Sequence, residues 1–167
     1  IDQDNVNSLL VRLDSAEFNK KLKNCNVASW AFTPRVLDKE DTVALAIWMF
    51  LDLGIAKRFR ITRLTLARFI LAAQKSYRDE VPYHNWLHAI SVTHFAYLLL
   101  KLCPLENFLT QLQMDILPLA ALCHDIDHRG TNNAFQQVSS SDLAALYSSE
   151  GSILERHHLA QTMCLLN

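Results

Sequence analysis

Between residues 123 and 130 the chain reads Cys-His-Asp-Ile-Asp-His-Arg-Gly, which puts His124, Asp125, Asp127 and His128 within five residues. The run directly before it, Ile116-Leu117-Pro118-Leu119-Ala120-Ala121-Leu122, is apolar, so a buried helix is expected to deliver these polar groups to the interior. That is a costly place for them: an unpaired buried carboxylate or imidazole is unfavourable by several kcal/mol unless a metal ion or hydrogen-bond partners compensate. Neutral imidazole mixed with carboxylate suits zinc and harder divalent cations. A metal site is the simplest single account of the stretch.

Other acid and base groups lie on either side. His84 and His88 are four residues apart in Tyr83-His84-Asn85-Trp86-Leu87-His88-Ala89, a spacing that places both on one face of a helix. Such a pair is as often a surface or satisfied core feature as a ligand pair. His94, ten residues beyond His84, leaves that face and is expected to be structural. Ser152-Ile153-Leu154-Glu155 fits a capping box, which alone would account for Glu155, and the helix it opens runs on through His157, His158 and Met163. Taken together, His88, His124 and Asp125 supply three ligands for one metal. His84, His128, Asp127, Glu155 and His158 remain for a second ion, bound water and proton transfer. Two-metal hydrolysis needs such a surplus: a carboxylate bridging the ions, a hydroxide between them and a proton donor for the leaving oxygen.

The elements that must position these groups read as helices throughout. Asp14-Ser15 caps a short helix over 16–23, and 27–38 is a packed connector. Asp41 or Thr42 caps a helix with Val43, Ile47, Phe50 and Leu51 on its apolar side and Gly54 at its end. Thr62 opens the next, with Leu66, Phe69, Ile70 and Ala73 on one side. The segment 84–102 is apolar almost all round in its second half and is expected to be central, ending at Pro104. Residues 105–108 and 111–122 continue the pattern, with Pro118 a potential kink, and 131–138 and 142–147 are short helices. No strand alternation, repeat or low-complexity linker appears, so the fold class is all-α.

Composition narrows the function classes. The length of 167 residues suits one domain or part of a larger one, and three Gly with half the residues hydrophobic favour a compact helical protein. A net charge of −1 leaves no electrostatic footprint for nucleic acid. Cys25, Cys103, Cys123 and Cys164 form no C-x-x-C pair and read as free thiols of a reducing, cytoplasmic compartment. The apolar run 43–50 is too short to span a bilayer, and no basic-then-apolar leader opens the chain. Because the first residue is Ile1 and the last are Leu165-Leu166-Asn167, an excised piece of a longer protein is expected.

Three strings carry a resemblance: 83–89 as quoted above; His124-Asp125-Ile126-Asp127-His128-Arg129-Gly130-Thr131-Asn132-Asn133; and Leu146-Tyr147-Ser148-Ser149-Glu150-Gly151-Ser152-Ile153-Leu154-Glu155-Arg156-His157-His158. They closely resemble the catalytic domain of the class I cyclic nucleotide phosphodiesterases. The resemblance reaches back through Tyr77-Arg78-Asp79 and Thr33-Pro34-Arg35, and is nearest to the branch that hydrolyses both cAMP and cGMP and is often regulated by cGMP. It implies an all-α, multi-helix bundle of the HD-type metal phosphohydrolase kind. By position, His88, His124 and Asp125 match zinc ligands, and Asp125 also matches the carboxylate bridging to magnesium (or manganese). His84 matches the general acid that protonates the departing 3′ oxygen. His128 and Glu155 match residues that hold metal-bound water or the bridging hydroxide, while His158 and the substrate-proximal Tyr83 match supporting positions. The implied partner is a cyclic nucleotide, with a homodimer formed through the parent protein. The family's further aspartate ligand, purine-gripping glutamine and clamping phenylalanine are not found in this sequence, so residues 1–167 are expected to be the N-terminal half of a single catalytic domain.

Three rival readings are carried forward. His124-Asp125-x-x-His128 mimics the zinc-protease H-E-x-x-H helix, but the shorter carboxylate misplaces the base and the His84/His88 pair goes unused. Another HD-type nucleotide phosphohydrolase would share the central ligands but not Tyr83-His84-Asn85-Trp86. A non-catalytic, regulatory fragment is the third.

Overall fold

Seven side chains punctuate the chain. Asp2, Ser15, Asp38, Thr62, Asn85, Thr110 and Asn132 each stand in extended backbone before a helix and accept a first-turn N–H that would otherwise be orphaned. The computed structural model describes residues 1–147 and 151–167, and among them all regular structure is helical. The helices are α1 (Gln3–Asp14), α2 (Ala16–Cys25), α3 (Lys39–Asp52), α4 (Ile55–Arg58), α5 (Arg63–Lys75), α6 (Trp86–Leu102), α7 (Gln111–Cys123), α8 (Asn133–Val138), α9 (Asp142–Tyr147) and α10 (Ile153–Leu166). Two 3₁₀ turns, Pro34–Val36 and Leu105–Asn107, sit in the connections.

The core forms around α3, whose Ala44, Leu45, Ala46, Ile47 and Met49 are wholly buried against α1, α5 and α6. Each aliphatic side chain of Leu or Ile size buried this way is worth about 1.5–3 kcal/mol. Trp86, at the first turn of α6, is also buried and donates its indole N–H to Thr42 Oγ1 at 2.8 Å, locking α6 to the start of α3. α6 lies along α7, so the helix bearing His88 runs beside the one that delivers His124. Arg58 forks the buried Asp115 carboxylate and ties α4 to α7.

Several local expectations are corrected. α1 was not anticipated; its polar composition masks an apolar stripe of Val6, Leu9 and Leu13 at helical spacing. α3 starts at Lys39 under an Asp38 cap, and Asp41 is a buried anion instead, accepting Arg12 Nε at 2.6 Å and paired with Lys21. α6 starts at Trp86, so His84 lies before the helix and the His84/His88 pair does not occupy one helical face. Asn85 is the reason: its carbonyl caps the helix at Leu87 N (3.0 Å) while its amide donates to Val81 O (2.9 Å). The capping box at 152–155 does not form, because Ser152 is left-handed (φ 55°) and makes no side-chain cap. Pro118 lies inside α7, which runs unbroken from Gln111 to Cys123. Residues 148–150 of the third motif string lie outside the described residues.

Asp41 allows a stability test. Burial works to raise its carboxyl, but hydrogen bonds from Arg12 and Lys21 outweigh burial and hold it below the usual carboxylate range. A depressed folded-state value contributes stability above the unfolded-state value, near pH 4, that is lost as pH falls through the folded-state value. Asp41→Asn should therefore cost about 1–3 kcal/mol at pH 7, with the deficit shrinking below about pH 4. Urea midpoints at pH 7 and pH 3 check this; an equal deficit at both would show that the ion pairs are not its source.

Candidate metal centre

Apolar α7 runs inward and stops at Cys123. The backbone then turns through residues 124–130, with Asp127 (φ 59°) and Gly130 (φ 82°) both left-handed. Tyr77, buried just after α5, fixes the start of this turn: its hydroxyl donates to Leu122 O at 2.8 Å and accepts the Asp125 N–H at 3.4 Å. Because the helix ends before His124, the two histidines of His124-Asp125-x-x-His128 do not share a helical face, and the zinc-protease reading lapses.

The turn brings its polar groups against α6 and α10. His88 Nε2 lies 3.1 Å from His124 Nε2 and 3.3 Å from Asp125 Oδ2, and His124 Nε2 lies 3.0 Å from the same oxygen. Ligands at about 2.0–2.1 Å on a tetrahedral ion are about 3.3 Å apart, so these three atoms outline one face of such a site and leave the fourth position open. A second group shares the carboxylate. Asp125, His128 and His158 each offer one ligand atom, all within 4.8 Å of one another, with Asp125 Oδ1 3.7 Å from His158 Nε2.

Backbone carbonyls set the tautomers. His124 Nδ1 meets Ala121 O at 2.8 Å and His158 Nδ1 meets Ile126 O at 2.6 Å, so both rings donate outward and turn the Nε2 lone pair inward. His128 Nδ1 accepts the Gly130 N–H at 3.0 Å. Its proton is then on Nε2, which suits it to donate to a water or a carboxylate rather than to ligate; the Asp125 oxygens with the inward-facing nitrogens of His88, His124 and His158 are a donor set that fits divalent cations.

Electrostatics follow from burial and from the carboxylate. Asp125, 14% exposed at the side chain, is pushed up by burial; the hydrogen bond from His124 and the charges of His124, His158 and His84 outweigh it and keep the group below the usual range. His124 is raised, chiefly by its hydrogen bond to Asp125. His88 and His158 are lowered by burial, and His128 is lowered to about 4 by burial and by the neighbouring His84, so it is neutral at neutral pH.

The remaining predicted residues fall in different places. The His84 ring stacks on His128 with centroids 4.0 Å apart and stands 5.5 Å from His88, so it borders both groups although it is off the helix. Tyr83 is exposed at the rim, its ring 4.9 Å from His84 and 4.8 Å from His88. Glu155 belongs to neither group: its carboxylate accepts the Asn133 amide at 3.0 and 3.3 Å, which holds it low, while sensing His158 and Asp125 electrostatically. Asp127 likewise belongs to neither group and pairs with Arg78 and His157. His94 is structural, as expected, buried with Nε2 2.7 Å from Val27 O. Three residues that orient the site carried no assigned role in the sequence reading: Tyr77, Asn85 and Asn133. Asn85 had a legible signal, a short amide directly before an apolar run; the other two act through the fold.

Residues 83–167 match a family profile described as 3′5′-cyclic nucleotide phosphodiesterase. The chain is 42% identical over 142 residues to proteins named cGMP-specific 3′,5′-cyclic phosphodiesterase from Drosophila pseudoobscura pseudoobscura and Drosophila melanogaster, covering 85% of this chain and 12% of each relative. It also superimposes on the crystal structure of the phosphodiesterase domain of the RhoPDE fusion protein from the choanoflagellate Salpingoeca rosetta, with a TM-score of 0.78 and 34% identity, over 88% of this chain and 45% of that one. The chain thus spans about an eighth of the curated relatives and less than half of the solved domain.

The shared carboxylate sets the metal test. Asp125→Ala should abolish uptake at both groups, whereas His88→Ala should weaken only the first, which elemental analysis after equilibrium dialysis would resolve. Uptake should also fall as the solution is acidified, because His124 must lose its proton to ligate and holds it more tightly than a free imidazole. Undiminished metal content in Asp125→Ala would rule the arrangement out.

Proposed function

The chain belongs to the 3′5′-cyclic nucleotide phosphodiesterase family, and from that premise we propose that residues 1–167 form the metal-binding half of a domain that hydrolyses cAMP or cGMP at the 3′ ester to the 5′-monophosphate. The observation that carries this reading is one carboxylate, Asp125, common to two imidazole groups, with His84 stacked beside them. Zinc at His88, His124 and Asp125, with magnesium or manganese sharing Asp125, would supply Lewis-acid polarisation of the phosphate and an acidified water when bound.

The protein's own groups do the rest. Asp125 neutralises charge between the two groups, and the carbonyls of Ala121 and Ile126 hold His124 and His158 in the ligating tautomer. As the oxygen of a water bonds to phosphorus and the P–O3′ bond breaks, an imidazole nitrogen of His84 gives its proton to O3′, and the proton shed by the attacking water restores that imidazole. His128, neutral and stacked on His84, fixes that ring without competing for the proton. Tyr83 borders the entrance, and Glu155, oriented by Asn133, adds negative charge near His158. The described cysteines, all free thiols, suit a cytoplasmic setting. A homodimer through the longer protein completes the proposal. No described helix is long and apolar enough to cross a membrane.

His84 separates chemistry from packing. General acid catalysis is worth about 10²–10⁴-fold, so His84→Asn in a polypeptide carrying the complete domain should reduce turnover of cyclic nucleotide by that order with metal content unchanged. On a nitrophenyl phosphodiester, whose leaving group needs little protonation, the same variant should lose far less. Equal losses on both substrates would assign His84 to positioning.

A further inference from the structure

His157 and His158 are consecutive in α10, yet only His158 reaches the metal groups. His157 is buried, 4% exposed, and its Nε2 lies 2.7 Å from Asp127 Oδ2. The other carboxylate oxygen accepts Arg78 Nε at 2.7 Å, and the Asp127 N–H donates to Ser76 O at 3.0 Å, at the end of α5. Tyr147 Oη lies 3.2 Å from His157 Nδ1. The tautomer that fits both contacts carries its proton on Nε2 and donates it to Asp127.

Asp127 is therefore a junction of three elements. It sits in the left-handed region, which Asp tolerates better than most residues with a Cβ, and its contacts add to that preference. Its place in the turn lies between Asp125 and His128, two members of the second metal group. The third member, His158, is attached to the same turn through Nδ1 and Ile126 O. Asn133 holds the start of α10 and Thr162 meets Cys123 O, but against the 124–130 turn itself His158 makes one hydrogen bond, and His157, the next residue around the helix, adds a second that fixes which way His158 faces.

We propose that Asp127 and His157 are positioning residues, a clamp that fixes the rotation of α10 against the 124–130 turn so that His158 faces Asp125, and so sets the affinity of the second cation site selectively. The first group takes its three candidate ligands from α6 and the start of the turn and none from α10. This inference rests on the reading of Asp125 and His158, beside His128, as a cation site.

The test uses the full-length protein loaded with one equivalent of zinc and titrated with manganese(II), free ion being read by electron paramagnetic resonance. Removing a partner that orients ligands costs about 10–100-fold in metal affinity, so His157→Phe should weaken manganese by that factor with zinc content unchanged. His157→Gln, whose amide can donate where Nε2 did, should recover most of the loss. Arg78→Met, at a half-exposed side chain, should weaken manganese in the same selective way and serves if His157→Phe does not fold. Manganese binding as tight as wild type in His157→Phe, or in Arg78→Met where that variant is used, would overturn the clamp. Wild-type protein that takes up no second ion would overturn the two-cation reading and the clamp with it. Parallel loss of zinc and manganese in Arg78→Met would show a general structural role and also overturn it.

Discussion

The structure depends on one buried negative charge. Asp125 is held among His88, His124, His128 and His158 with little solvent to screen it, and an isolated carboxylate there would protonate or expel the turn that bears it. The imidazoles reverse that tendency by offering hydrogen bonds and partial positive charge, at the cost of gathering four ring systems whose own protonation burial opposes. A cation would take the place of the proton that Asp125 favours on His124, leaving the inward Nε2 lone pairs of His124 and His158 free to ligate.

Holding such a cluster falls to groups that offer it no ligand atom. Tyr77 pins the end of α7, Asn85 sets where α6 begins and thus which way His88 points, and Asn133 ties the start of α10 to α8 through Leu154 N (2.9 Å) while steering Glu155. Each spends a side-chain hydrogen bond on backbone at a point where a helix starts or stops. Those are the points at which a one-residue slip would swing a ligand by about 100° around its axis. The precision of the site is therefore a property of helix termini more than of helix packing.

What the sequence made legible follows the same division. Apolar runs and capping residues showed an all-helical chain, the central segment around 84–102 and the delivery of His124 and Asp125 by the helix before them, because these are local and periodic. The sequence reading missed α1, whose stripe is diluted by Asp and Asn. It placed the α3 start late because Asp38 and Asp41 are both plausible caps and only tertiary contact with Arg12 and Lys21 distinguishes them. It put His84 on the helix since spacing cannot reveal that Asn85 caps after it. It read Glu155 as half of a capping box, which the left-handed Ser152 forbids. The set His88, His124 and Asp125 was legible from residue types, and the bridging role of Asp125 came from the family resemblance; that His128 and His158 close on the same carboxylate is visible only in the fold, since His88, the 124–128 turn and His158 are separated by dozens of residues.

The same separation means that any cation held at both groups would be coupled to the fold. α6, the 124–130 turn and α10 each carry side chains that could ligate a cation, and α10 reaches the turn largely through His157 and His158. A cation bound by groups on all three elements binds only the docked arrangement, and so stabilises it in proportion to the logarithm of its concentration over its dissociation constant. Conversely, any contact that keeps α10 docked lowers the entropy a second ion must overcome on binding. The ionic site and the helix packing are thus one equilibrium seen from two sides: buried imidazoles that would be a liability in an apolar core become, around Asp125, the means by which three distant stretches of sequence find a single register.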